Sequence, residues 1–174
     1  MKAFSLSASA PSLVYYGQGT MNSDRLYQFD VKKNKEVLVE DLSKEILEDI
    51  QLGECQDWNF INSKGDTIYG RYYLPPYFDA NKKYPVIIYF YEKSSNTLHR
   101  YMPPAASRST VNIPYFVSNG YVVFVPDIYY FDGHPGQSAM RSIMPGVEML
   151  EKFPWIDGEN MAIQGQSWGG YQVA

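Results

Sequence analysis

The sequence predicts an α/β fold with a mostly parallel sheet, preceded by a separate β-rich segment. Three observations predict it. Val86-Ile87-Ile88-Tyr89-Phe90-Tyr91 and Tyr121-Val122-Val123-Phe124-Val125 are apolar on both faces, the pattern of strands buried on both sides in parallel sheets. Between and after them lie stretches able to form helices, so strands alternate with helices as in βαβ units. Residues 1 to about 55 lack such runs and carry only short β-prone stretches separated by turn chemistry.

In the first segment those stretches are Leu13–Tyr16, Arg25–Val31 and Glu36–Val39, with turns expected at Tyr16–Thr20 and Lys32–Lys35. Two such hairpins need a third strand or a packed face for stability. Asp41–Leu52 carries Leu42, Ile46 and Leu47 among acids, which fits a short surface helix or an extended linker. From Trp58 the pattern strengthens. Trp58–Ile61 and Thr67–Leu74 flank Asn62-Ser63-Lys64-Gly65-Asp66, a turn sequence that predicts a hairpin, and Pro75-Pro76 ends it. Val86–Tyr91 is the next strand. Ile113–Asn119 fits a short helix closed by Gly120, and Tyr121–Val125 a strand ended by Pro126-Asp127. Met140–Lys152 fits a helix with Pro145 near its first turn. Phe153–Gly158 then reads as a loop, and Met161–Gln164 as a third short strand.

Composition excludes several function classes. The 174 residues are 45% hydrophobic and carry 15 basic against 19 acidic side chains, so no cationic footprint for a phosphate backbone exists and no nucleic-acid partner is expected. A single cysteine, Cys55, excludes an internal disulfide and a cysteine metal cage; it reads as a small semi-buried residue. No cluster of His, Cys and carboxylates stands at ligand spacing, and neither a metal nor a cofactor is expected. The apolar runs fall well short of the roughly 20 residues that span a bilayer, and no apolar block of about 7–15 residues follows Lys2 as in a signal peptide. A cytoplasmic location, with no membrane partner, is the default expectation. Nothing in the sequence specifies an oligomeric state.

The chemistry concentrates in Gly165-Gln166-Ser167-Trp168-Gly169, followed by Gly170. The pentapeptide alone arises by chance in roughly one such sequence in fifteen; its context sharpens it. It follows a short apolar strand and precedes residues able to start a helix, the setting of a nucleophile elbow. Such a turn holds its serine in a strained backbone conformation, and a Cβ on the neighbouring glycines Gly165, Gly169 and Gly170 would collide with the adjoining strand or helix. Ser167 would then project into solvent, with the Trp168 amide at the new helix's N-terminus facing a developing oxyanion. The bland alternative is a Gly-rich turn with an ordinary serine.

Taken in order and spacing, Tyr84-Pro85-Val86-Ile87-Ile88-Tyr89-Phe90-Tyr91, Gly120–Asp127 and Gly165–Tyr171 resemble the catalytic domain of the prolyl oligopeptidase family of serine peptidases. Asp66–Gly70 and Leu74-Pro75-Pro76 are similar to that domain's opening strands, and Leu13–Val39 to the last part of a propeller. The resemblance implies an α/β-hydrolase domain over residues 56–174, cut after the elbow, behind a β-rich segment and linker over 1–55 that resembles the end of a β-propeller. It implies Ser167 as nucleophile, Trp168 as donor of one oxyanion-hole amide and Tyr91 as the tyrosine whose hydroxyl completes the hole. A peptide is the implied substrate, cleaved through an acyl-enzyme.

Two loops depart from the family pattern. Glu92-Lys93-Ser94 stands where many relatives have Gly-Pro or Gly-Gly, and Asp127-Ile128-Tyr129-Tyr130 where many have Asp-x-Arg-Gly. The triad order in this fold is Ser, Asp or Glu, His, and none of the seven residues after Ser167 is acidic or a histidine. The triad Asp and His are therefore not among the expected positions of this chain, which reads as a fragment, inactive alone. His99 and His134 lie upstream on loops; triad order differs between unrelated folds, but the ordinary reading for both is an exposed loop histidine. Asp127 and Asp157 read as capping or turn residues. An esterase of the same fold, and a binding module working through the β-rich segment, are the alternative readings.

Overall fold

The computed structural model describes residues 4–20, 22–97 and 100–174. The described residues form two compact units, one of residues 4–51 with 100–103, the other of residues 52–97 with 104–174.

The first unit is an antiparallel meander, β1 (Phe4–Leu6), β2 (Ser12–Gly19), β3 (Asn22–Asp30) and β4 (Lys35–Asp41), in that spatial order. The three expected stretches are strands, but β2 corrects the expected turn at Tyr16–Thr20: it runs on to Gly19, which pairs with Asn22. A register shift between Gly17 and Gly19 lets the strand continue. The Tyr27 ring lies so close over Gly17 that a Cβ there would stand 2.9 Å from it. At the other turn, Asn34 takes a positive φ of 48°, and the Asp30 carboxylate accepts the amides of Lys32 and Lys33. Arg25 and Asp41 close the far end of β3–β4 at 2.8 Å. The acidic stretch beyond contributes a single helical turn, α1 (Lys44–Leu47).

The second unit is a five-stranded sheet in the order β5-β6-β8-β7-β9. The expected hairpin is β5 (Glu54–Ile61) and β6 (Thr67–Leu74). Its turn is set by Gly65 at φ 87° and by Asn62, whose Oδ1 accepts the amides of Lys64 and Asp66. β7 (Tyr84–Tyr89), α2 (Ile113–Ser118), β8 (Val122–Pro126), α3 (Pro135–Leu150) and β9 (Ile156–Gln164) follow. β7 is parallel to both β8 and β9, whereas β6 is antiparallel to both β5 and β8. The sheet is thus mixed rather than mostly parallel. The tight Asn62–Asp66 turn imposes one antiparallel pairing, and β6 then lies against β8, with only β7, β8 and β9 linked by the crossover helices α2 and α3.

Two boundaries also differ from expectation. α3 begins at Pro135, which occupies the first helical turn, so Pro145 falls mid-helix. Ser138 and Ser142 explain the earlier start. Ser138 Oγ donates to the His134 carbonyl and accepts the Phe131 amide, while Ser142 Oγ accepts the Tyr129 amide. The helix then packs tightly enough that a Cβ on Gly146 would stand 2.7 Å from Phe60 and 2.8 Å from Phe124. Such burial offsets the hydrogen bond that Pro145 cannot make. Part of the expected Phe153–Gly158 loop belongs to β9, because Ile156 pairs with Tyr84 before a register irregularity at Tyr84/Val86. The core is aromatic and aliphatic: Phe60, Ile68, Val86, Ile88, Phe90, Val122, Phe124 and Leu150 are buried, with Trp58 and Phe153 packed against them.

Candidate functional site

The parallel strands β7, β8 and β9 end side by side, and the segments leaving their C-terminal edge carry the residues of interest. Ligand sites of open α/β sheets form at such edges. β9 ends at Gln164, and α4 (Trp168–Val173) begins four residues later. Between them Ser167 is exposed with φ 52° and ψ −112°, a conformation that L residues rarely hold and that surrounding structure must enforce.

The glycines do the enforcing, though unequally. A Cβ on Gly165 would lie 2.3 Å from the Gly169 carbonyl oxygen, and one on Gly169 would lie 2.6 Å from the Phe90 carbonyl oxygen and 3.5 Å from Tyr91 Cα. Strand, helix and the end of β7 therefore meet with no room for a side chain. Gly170 differs: a Cβ there meets nothing nearer than 3.4 Å, so the collision expected for all three glycines applies to two.

Tyr91 lies just beyond β7 rather than at its last residue, half-exposed, with its backbone against the elbow. Trp168 is the first residue of α4 and is also partly exposed; its ring stacks on Tyr171 at 5.2 Å. The segment after Tyr91 is held from two sides. Asp127, fully buried, accepts the Ser94 and Ser95 amides through Oδ1 at 2.6 and 2.8 Å. Arg71, also buried, donates to the Ser94 carbonyl at 2.6 Å and the Thr97 carbonyl at 3.3 Å. The Ile128 amide donates to the Glu92 carbonyl, and Lys93 Nζ lies 4.2 Å over the Tyr129 ring. The two loops that depart from the family pattern thus pack on one another. Asp127 does more than cap a turn: it clamps a loop distant in sequence. Asp157 acts locally, accepting from Glu159 and Asn160.

Tyr130 is the residue that sequence reasoning missed. Its hydroxyl donates to the Tyr91 carbonyl at 3.0 Å and accepts from Trp168 Nε1 at 3.0 Å and Gln172 Nε2 at 2.7 Å. Burial raises its pKa against the lowering effect of the Gln172 and Trp168 hydrogen bonds. Nothing marks it among 16 tyrosines, since its partners come from two segments distant in sequence, the one leaving β7 and α4.

His134 caps the N-terminus of α3, exposed, its ring stacked on Phe131 at 5.3 Å; His99 lies outside the described residues. Among the described residues no histidine or carboxylate hydrogen-bonds the Ser167 hydroxyl, and no group of three or more His, Cys, Asp and Glu is placed to hold a metal. No helix among them is long and apolar enough to cross a membrane. Cys55 is partly buried.

No protein-family model matches the chain. Over 161 residues it is 27% identical to dipeptidyl-peptidase 5 of Porphyromonas gingivalis, an alignment covering 86% of this chain and 23% of that protein. The fold is similar to part of acylaminoacyl peptidase from Pyrococcus horikoshii, with a TM-score of 0.72 at 19% identity over 98% of this chain and 28% of the other. It is also similar to part of prolyl oligopeptidase B from Galerina marginata, with a TM-score of 0.70 at 14% identity over 98% of this chain and 25% of the other. The chain spans about a quarter of the length of the curated relatives it matches. Sequence and fold together make it similar, over nearly its whole length, to one stretch of the dipeptidyl, acylaminoacyl and prolyl peptidases.

Proposed function

We propose that the protein is a serine peptidase of the prolyl oligopeptidase kind, hydrolysing peptide bonds through an acyl-enzyme on Ser167. The observation that carries this reading is the strained Ser167 backbone between β9 and α4, at φ 52° and ψ −112°, in a turn whose Gly165 and Gly169 admit no side chain. Only a turn of this kind lifts a serine hydroxyl clear of the sheet edge while opening a helix at the next residue. The names of the relatives, dipeptidyl and acylaminoacyl peptidases, support a peptide as substrate.

In this mechanism the Ser167 Oγ attacks the scissile carbonyl carbon and its proton passes to a general base. The oxyanion of the tetrahedral intermediate accepts from the Trp168 amide and the Tyr91 hydroxyl. Collapse breaks the C–N bond, the amine leaves with the proton, and water then hydrolyses the acyl ester. The base and its acid partner follow Ser167 in the order Ser, Asp, His. The division at about residue 55 belongs to the same reading. Residues 1–55, with their four antiparallel strands, are the last part of a propeller, whose blades are four-stranded sheets, and residues 56–174 are the first part of the hydrolase domain.

The test is turnover of chromogenic amides by the full-length protein, with free dipeptidyl and N-acylated aminoacyl series run in parallel. Cleavage of at least one series is expected, reduced by about 10⁴–10⁶ in Ser167→Ala. Turnover that survives Ser167→Ala overturns the assignment, and cleavage of esters without any amide makes the protein an esterase.

A further inference from the structure

We infer that Tyr130 is a positioning residue for this site: its single hydroxyl ties together the two residues, Tyr91 and Trp168, that carry the oxyanion donors. The inference rests on the reading of Ser167, Tyr91 and Trp168 given above.

The direction of each bond follows from chemistry. The indole Nε1–H of Trp168 and the amide Nε2–H of Gln172 can only donate, so at 3.0 and 2.7 Å they occupy the acceptor positions of the Tyr130 oxygen. Its one hydrogen is left for the Tyr91 carbonyl at 3.0 Å. The hydroxyl is then fully committed, with one bond donated and two accepted. Two of these bonds reach α4, at its first and fifth residues; the third reaches the segment leaving β7. Both partner segments lie outside the regular strand pairing of the sheet. α4 is six residues long, and Tyr91 lies past the end of β7, its ring half-exposed. Phe90, one residue earlier, is buried and abuts Gly169. Glu92, one residue later, is held by the Ile128 amide on its carbonyl, and between these two anchors Tyr130 bonds the carbonyl of the Tyr91–Glu92 peptide.

The same geometry separates Tyr130 from a substrate contact. Its hydroxyl has no capacity left for a ligand, so its effect on the reaction must pass through the groups that it holds. Misplacement of a catalytic group by about 1 Å costs on the order of 10²-fold in rate, whereas ground-state binding elsewhere is untouched. Loss of the hydroxyl should lower kcat and leave KM nearly unchanged.

A double-mutant cycle on the full-length protein tests this. Tyr130→Phe keeps the ring and deletes the hydroxyl; Tyr91→Phe deletes the oxyanion donor itself, at a cost of about 10²–10³ in kcat. Tyr130→Phe should lower kcat by about 10-fold or more in the native background and by a clearly smaller factor in the Tyr91→Phe background, where only the Trp168 amide is left to position. KM should stay within about 2-fold in both. A Tyr130→Phe loss of equal size in the two backgrounds, a loss confined to KM, or no loss at all overturns the inference. The underlying reading fails differently, through a Tyr91→Phe variant as active as the native protein. Thermal denaturation of each variant shows that a loss of kcat is not a loss of fold; the half-exposed ring that Tyr130→Phe retains predicts a transition close to the native one.

Discussion

Gly169 is the residue at which the geometry makes its sharpest demand. Adding one methyl group as Gly169→Ala places a carbon 2.6 Å from the Phe90 carbonyl oxygen, where ordinary contact begins near 3.4 Å. That oxygen belongs to the backbone of a buried residue whose amide is itself bonded to Gln164, so neither partner can swing aside as a flexible side chain would. Overpacking of this kind costs about 1–3 kcal/mol, against a gain of at most about 1 kcal/mol from replacing glycine by alanine in a helix. With the full gain subtracted, the net is a destabilisation of up to about 2 kcal/mol, or up to about 8 °C at the 2–4 °C per kcal/mol of a chain of this size. Gly170→Ala is the internal control. Its Cβ meets nothing nearer than 3.4 Å, so only the propensity gain remains and the shift is zero or upward. The assay is thermal or urea denaturation of the two variants beside the native protein, with the rate of fluorophosphonate labelling as second readout. Gly169→Ala should slow labelling at least 10-fold by displacing α4 from Tyr91, while Gly170→Ala leaves it near native. Shifts of the same sign and size in both variants would refute the reasoning, because steric demand at the elbow is what distinguishes the two glycines.

Two further outcomes follow from the buried and paired carboxylates. Asp127→Ala leaves the Ser94 and Ser95 amides without their acceptor, each at about 1–3 kcal/mol, so chemical denaturation should show a loss of about 2–6 kcal/mol. Asp127→Asn, which keeps an acceptor oxygen, should recover more than half of it; equal losses would mean that the charge and not the hydrogen bonds holds the loop. Burial raises the Asp41 pKa, but hydrogen bonds from Ser43 and Arg25 outweigh it and leave the value lowered. Asp41 therefore stabilises the four-stranded unit above the ordinary carboxylate pKa, and this contribution is lost as pH falls through the lowered value. Asp41→Asn should flatten that acid limb in a stability titration, and an unchanged limb would show that other carboxylates set it.

The parts of the fold legible in the sequence are those fixed by local pattern. Val86–Ile88 and Val122–Val125 are apolar without alternation, so their burial on both faces could be read directly, as could the hairpin from Asn62–Asp66 and the strand-turn-helix around Ser167. The parts that were not legible depend on partners distant in the chain. The start of α3 is fixed by Ser138 and Ser142 bonding loop amides together with Pro135 in its first turn, a start signal that the reading of Pro145 as the early proline passed over. The placement of β6 beside β8, which makes the sheet mixed, leaves no mark on either strand's pattern. The same holds at the site. Ser167 and its glycines were visible because a tight turn restricts residue type, whereas the Asp127–Arg71 clamp acts on backbone groups that any residue supplies, and Tyr130 meets partners about 40 residues away in the chain.

The most direct test of the central claim is the site of covalent modification. The full-length protein is treated with a fluorophosphonate, digested, and its adduct mapped by mass spectrometry, with Ser167→Ala alongside. The account predicts a single adduct on the peptide containing Gly165-Gln166-Ser167-Trp168-Gly169 and none in the variant. An adduct on another residue, or labelling that persists in Ser167→Ala, would contradict it.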